Sequence, residues 1–287
     1  MYARAHAERH PLQPCVIMGG SGETLSYAQL ESRANRLAQL LRRHGLRRLD
    51  HYAIFMENNA RYIEACAAGE RAGLYYTCIN SHLNAEELAF IVNDSLARVL
   101  ITSRAQREVA HAALASCPRL ELLLMLDAGP DDTPFVDYEG AIAAMPATPI
   151  ADESLGGAML YSSGTTGRPK GVLRPLPEAA PEELTPLFRA LHTMWHHRPG
   201  MVYLSPAPLY HSAPQAAVNL TLRSGGTAVI MERFDPEQFL ALVERHRVSH
   251  SQLVPTMFSR MLKLPAAVRT RYQIASLECV VHAAAPC

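Results

Sequence analysis

The chain predicts an α/β fold with two successive, mostly parallel sheets and helices on both faces. Three observations predict it. Short β-rich apolar runs alternate with stretches whose apolar residues recur at helical spacing. Runs such as Leu122-Leu123-Leu124-Met125-Leu126 suit buried strands. At 287 residues there is room for about two domains, or one large one, at roughly 150 residues each. A composition 48% hydrophobic and 19% charged argues against disorder.

The elements follow in order. Ser26-Tyr27-Ala28-Gln29 has capping-box spacing, in which a hydroxyl and an amide satisfy free backbone N–H groups reciprocally. Leu30, Ala34, Leu37 and Leu41 then recur at helical spacing, and Gly45 is the stop. Residues 51–56 read as a strand, 60–72 as a helix ending before Gly73, and 74–79 as the next strand. Asn84 with Glu87 opens a helix to about residue 93. Residues 97–102 (strand), 104–115 (helix) and 120–126 (strand) repeat the cycle. A turn-like stretch at 128–134 and a Pro-rich connection at 145–150 follow. The boundary placed there divides the chain into a first α/β subdomain, 1–150, and a second, 151–287. The second opens with a strand at 158–161, then a helix near 182–196 and a strand at 227–231. Asp235-Pro236-Glu237-Gln238 starts a helix to 246, with a carboxylate cap and proline at the first helical position. Strands at 251–254 and 279–282 complete the set.

Charge removes several function classes. Lys+Arg and Asp+Glu both number 27, so no global basic field gathers nucleic acid or an anionic membrane. No apolar run reaches the ~20 residues that span a bilayer, and residues 1–10 lack the apolar core of a secretory signal. Six scattered cysteines without a C-x-x-C pair read as reduced thiols, the cytoplasmic expectation.

The chemistry concentrates in Tyr161-Ser162-Ser163-Gly164-Thr165-Thr166-Gly167-Arg168-Pro169-Lys170-Gly171-Val172. A phosphate chain needs convergent donors, close backbone and a compact cation. Glycines 164, 167 and 171 permit close approach, four hydroxyls add donors, and Lys170 is one of only two lysines. Each hydrogen bond to a charged group contributes about 1.5–3 kcal/mol, so the ensemble binds where a lone lysine would not. The competing reading is a flexible polar turn. Pro169 stands where a Walker A loop needs glycine, and no G-x-G-x-x-G is present.

This segment resembles the signature loop of the adenylate-forming (AMP-binding) superfamily, in its acyl-CoA synthetase branch. Leu25-Ser26-Tyr27-Ala28-Gln29-Leu30, Ile54-Phe55-Met56-Glu57-Asn58, Pro208-Leu209-Tyr210-His211-Ser212, Gly225-Gly226-Thr227 and Val254-Pro255-Thr256-Met257 agree with it in order. The resemblance implies that Thr165, Thr166, Gly167 and Lys170 embrace the ATP phosphates while Ser162, Ser163 and Gly164 shape the loop. It implies that His211 lines the acyl/CoA tunnel; a structural histidine is the alternative. Pro255, Thr256 and Met257 either flank the acyl chain or pack the core. Ala283-Ala284-Ala285-Pro286 aligns with the segment against adenine, with alanine at 283 where many members have glycine.

The resemblance further implies ATP, Mg²⁺ and CoA as cofactors and co-substrates and a small carboxylic acid, with a fatty acid favoured by the Tyr-His-Ser pattern. The Mg²⁺ carboxylate, the catalytic lysine and the small C-terminal domain have no counterpart here. The second sheet is therefore expected to be incomplete, the fragment to have little activity alone, and its open edge to favour aggregation or a homo-oligomer. The alternatives are a non-catalytic remnant that binds nucleotide or a partner, and an adenylation domain of another branch. His192, His196 and His197 lack a carboxylate or cysteine nearby to complete a metal site.

Overall fold

The computed structural model describes residues 1–162 and 169–282. A short helix α1 (Arg4–Arg9) leads into a hairpin of β1 (Pro14–Met18) and β2 (Thr24–Ser26), and then into α2 (Tyr27–Arg43). The Ser26–Gln29 capping box is formed at the start of α2, and Gly45 takes a positive φ of 80° beyond its end. Next come β3 (His51–Phe55), α3 (Ala60–Arg71), β4 (Tyr75–Cys78), α4 (Ala85–Asp94), β5 (Val99–Ser103), α5 (Arg107–Leu114) and β6 (Leu122–Leu126). Asn84 and Glu87 cap α4 as their spacing predicts. β7 (Val136–Asp137), α6 (Tyr138–Ala143), β8 (Gly157–Ser162) and β9 (Lys170–Val172) follow. The remainder is α7 (Pro186–Met194), β10 (Val202–Ser205), α8 (Ser212–Arg223), β11 (Thr227–Ile230), α9 (Pro236–His246), β12 (His250–Leu253), α10 (Pro255–Leu262), α11 (Ala266–Arg269) and β13 (Cys279–His282).

Among the described residues the strands form two sheets, ordered β7-β6-β5-β3-β4-β8-β9 and β13-β12-β10-β11-β1-β2. All pairings are parallel except the two hairpins, β8–β9 and β1–β2. Successive residues of a strand face opposite sides, and here both sides are dry. Tyr52 and Ile54 of β3 enter a central core, whereas Ala53 and Phe55 enter an outer one beneath α4 and α5. In the other sheet Tyr203, Ala228 and Ile230 join the same central core, and Leu204 and Val229 an outer core under α9 and α10. α2, α3 and α8 fill the space between the sheets. The result is five layers, helix–sheet–helix–sheet–helix.

Strand membership does not follow the division placed at residue 150. β1 and β2 belong to the sheet of the second half, and β8 and β9 complete the sheet of the first. Local pattern marks a strand but not its neighbours. The strand opening the second half pairs with β4, and Gly156 lets its approach lie flush on α3. A Cβ at Gly156 would lie 2.1 Å from the Gly69 carbonyl oxygen and 2.7 Å from that of Leu74. Gly156 N donates to Glu70 O instead, at 2.8 Å.

The sheets are also tied by a buried charge. Glu70 on α3 accepts from Tyr76 Oη (2.9 Å), Arg223 Nη2 (2.8 Å), Asn219 Nδ2 and the Met1 amino group. Burial alone would raise its pKa, but the Met1 amine and Arg223 outweigh burial and hold it down at about 2. β13 has one neighbour, β12, among the described residues, and Val280 is exposed there. Among them no helix is long and apolar enough to cross a membrane.

Candidate functional site

Open parallel sheets place ligands at the carboxyl ends of their strands, and both sheets turn those ends to one side. A single side chain shows it. Asn58, just past β3, donates from Nδ2 to the carbonyls of Ala207 (3.2 Å) and Met231 (2.9 Å), which lie just past β10 and β11. Its Oδ1 accepts from Leu209 N at 2.8 Å. The buried amide therefore latches the segment 206–211 of one sheet to the strand end of the other. Replacing Asn58 with leucine would strand one donor and two acceptors, so we expect a loss of about 2–4 kcal/mol in urea denaturation. A loss under about 1 kcal/mol would show that water serves these groups equally well.

On this edge β8 ends and β9 begins. Ser162 and Lys170 are direct cross-strand partners, so their side chains share one face of the hairpin. Both are exposed. Tyr161 Oη donates to Asp94 Oδ2 at 2.6 Å, pinning the strand end to the last residue of α4. Burial, and then that hydrogen bond and carboxylate, raise the Tyr161 pKa. Ser163, Gly164, Thr165, Thr166 and Gly167 lie outside the described residues.

His211 occupies the N-cap position of α8, where its carbonyl accepts from Gln215 N at 3.3 Å but its side chain makes no cap bond to the helix. Its ring packs against Tyr210, 4.4 Å between centroids. Its side chain remains open to solvent, while desolvation by its surroundings lowers its pKa, which favours a neutral imidazole. Gln215, in the first turn, donates to Cys78 Sγ at 2.8 Å. Cys78 ends β4, the strand beside β8, so the start of α8 sits against the strand next to the β8–β9 hairpin.

Pro255 opens α10 at the carboxyl end of β12, and Thr256 beside it is exposed. Met257 is buried in the outer core with Leu204 and Leu253, so of the three it is the one committed to packing. Ala283, Ala284, Ala285 and Pro286 lie outside the described residues, immediately after β13. α7 ends at Met194, which leaves His196 and His197 beyond the helix that carries His192. The sequence did not single out Asn58 as a latch, although the strand end that holds it was recognised. A polar residue between a strand and an N-cap (Asn59) was the available signal.

The model of the family described as AMP-binding enzyme matches residues 3–287. The chain belongs to that family. Among curated relatives, 4-coumarate–CoA ligase 2 of Petroselinum crispum is 27% identical over 95% of this chain and 49% of its own length. A feruloyl-CoA synthase of Amycolatopsis sp is 31% identical over 90% of this chain and 49% of its own. The chain thus spans about half the length of the curated relatives it matches. Among solved structures, ATP-bound MatB of Rhodopseudomonas palustris superposes with a TM-score of 0.77 at 26% identity, covering 100% of this chain and 56% of that one.

Proposed function

We propose that this AMP-binding chain holds the phosphates of ATP in the hairpin between β8 and β9 and presents a carboxylic acid beneath α8, as part of an ATP-dependent acyl-CoA ligase. The carboxylate oxygen attacks the α-phosphorus, pyrophosphate leaves, and the thiol sulfur of CoA then takes the acyl group and releases AMP. Catalysis of this kind rests on positioning and charge neutralisation. The observation that carries the reading is the Ser162–Lys170 pair, set at the shared carboxyl edge of two latched sheets. Residues 163–168 between the pair carry the hydroxyl and glycine pattern. Among the described residues no three His, Cys, Asp or Glu side chains are grouped to hold a metal.

The test uses ATP binding by the intact chain. Lys170→Ala removes one charge-assisted contact of about 1.5–3 kcal/mol, roughly a 10- to 100-fold weaker dissociation constant. Lys263→Ala, at the end of α10, is the control and leaves affinity unchanged. Equal affinity in Lys170→Ala and the parent overturns the site. ATP–pyrophosphate exchange then separates a competent adenylating chain from a remnant that only binds nucleotide. A panel of fatty and phenylpropenoic acids covers both the expectation from the Tyr-His-Ser pattern and the 4-coumarate and feruloyl names of the relatives.

A further inference from the structure

Two free thiols meet where the carboxyl edge of the first sheet faces α8. Cys66 lies on α3 and Cys78 ends β4, and their sulfurs stand 3.9 Å apart in the central core. Cys66 is 0% exposed and Cys78 4%, so a small molecule arriving from the edge meets Cys78 first. Cys78 Sγ also accepts from Gln215 Nε2 at 2.8 Å. Burial, and then Cys78 and Glu70, push the Cys66 pKa up, so Cys66 keeps its proton and donates a hydrogen bond to Cys78. Two donors therefore converge on Cys78 Sγ.

A third group stands beside the pair. Tyr62 is one turn before Cys66 on the same face of α3, and its buried Oη has no hydrogen-bond partner. Burial, and then Cys78 and Cys66, raise the Tyr62 pKa, which puts the hydroxyl next to both sulfurs. Core packing accounts for two thiols here but not for a bare phenol hydroxyl beside them. An oxygen atom on Cys78 would accept from it. A disulfide holds its sulfurs about 2.05 Å apart, so closing the pair takes about 1 Å of movement by each, within reach of side-chain rotation.

We propose that Cys66 and Cys78 form a peroxide-responsive dithiol that closes into a disulfide and releases the start of α8. Hydrogen peroxide gives one oxygen to Cys78 Sγ: the O–O bond breaks, an S–O bond forms and water leaves with the thiol proton. Tyr62 Oη donates to the new oxygen. Cys66 Sγ then attacks Cys78 Sγ, the S–S bond forms, the S–O bond breaks, and a second water carries off the Cys66 proton. Two electrons pass from the two sulfurs to the peroxide. The new bond draws Cys78 Sγ toward α3 and leaves Gln215 Nε2, buried in the first turn of α8, without its acceptor. His211 heads that turn, so on the ligase reading above oxidation disturbs the end of α8 nearest the reacting carboxylate.

The intact chain is treated with hydrogen peroxide, alkylated and mapped by mass spectrometry. The Cys66–Cys78 cross-link is expected to form while Cys117, also 4% exposed, stays reduced, and dithiothreitol should reverse it. In Cys66→Ala, which stops the second step, dimedone should label Cys78 as its sulfenic acid. Amide exchange at the start of α8 should rise several-fold in the oxidised chain and return on reduction. No cross-link, no dimedone label on Cys78, or Cys117 oxidised as fast as Cys78 overturns the site. A cross-linked chain with unchanged exchange in α8 overturns the release. None of these readouts uses ATP or an acid, so they stand apart from the Lys170→Ala test of the ligase reading.

Discussion

Glu70→Leu is expected to lower the stability of the chain by about 3–5 kcal/mol, the penalty for removing one partner of a buried ion pair. The carboxylate accepts from Tyr76, Arg223, Asn219 and the Met1 amine, and its side chain is only 3% exposed. Leucine fills similar space but leaves the Arg223 guanidinium facing it without a countercharge. Since a domain this size holds only ~5–15 kcal/mol in total, the variant should unfold at much lower urea, or accumulate insoluble. Glu70→Gln keeps one acceptor and should fall between. The pH dependence has a definite sign. Glu70 titrates at about 2 folded against 4.5 as a free carboxyl, so its contribution is present above 4.5 and is lost as pH falls toward 2. The parent should lose stability through that window, and Glu70→Leu should be flatter there. A variant as stable as the parent at pH 7 would mean that the cluster is matched by apolar packing alone.

Gly156→Ala should be nearly as damaging, for a steric reason. The added methyl would meet two backbone carbonyl oxygens, of Gly69 and Leu74, and backbone cannot rotate aside as a side chain does. We expect a loss of about 3 kcal/mol or more, at the upper end of overpacking penalties. Gly157→Ala is the comparison, because its methyl would meet only the tip of Leu176 at 3.0 Å and should be tolerated far better. Displacing residue 156 also shifts β8, which ends at Ser162, so residual folded Gly156→Ala should bind ATP more weakly. Equal stability of the two alanine variants would show that α3 and β8 separate at little cost.

The pattern of the chain was most legible where a short segment decides its own conformation. The capping box at Ser26, the Asn84–Glu87 pair and the Asp235-Pro236 start are local hydrogen-bonding devices, and all three open helices. α8 was not legible. Its Gln215, Asn219 and Thr221 are buried because it is sandwiched between two sheets, where they bond Cys78, Glu70 and the Ala217 carbonyl. A helix read as amphipathic must show one apolar stripe, and this one does not. β10 escaped for a related reason, since Tyr203 and Ser205 interrupt its apolar run on the inner face.

By itself, then, the sequence determined the α/β class, most of the individual helices and strands, and the glycine-, hydroxyl- and lysine-bearing loop that the proposal above assigns to phosphate. Those properties depend on residues within a few positions of one another. Only the tertiary structure decided that β1–β2 and β8–β9 exchange halves, that Asn58 clasps the two carboxyl edges, and that Met257 packs outward. It alone brought Gln215 of α8 against the Cys66–Cys78 pair. Such pairings join residues tens to hundreds of positions apart, and burial and steric fit in the assembled layers, rather than local spacing, select among them.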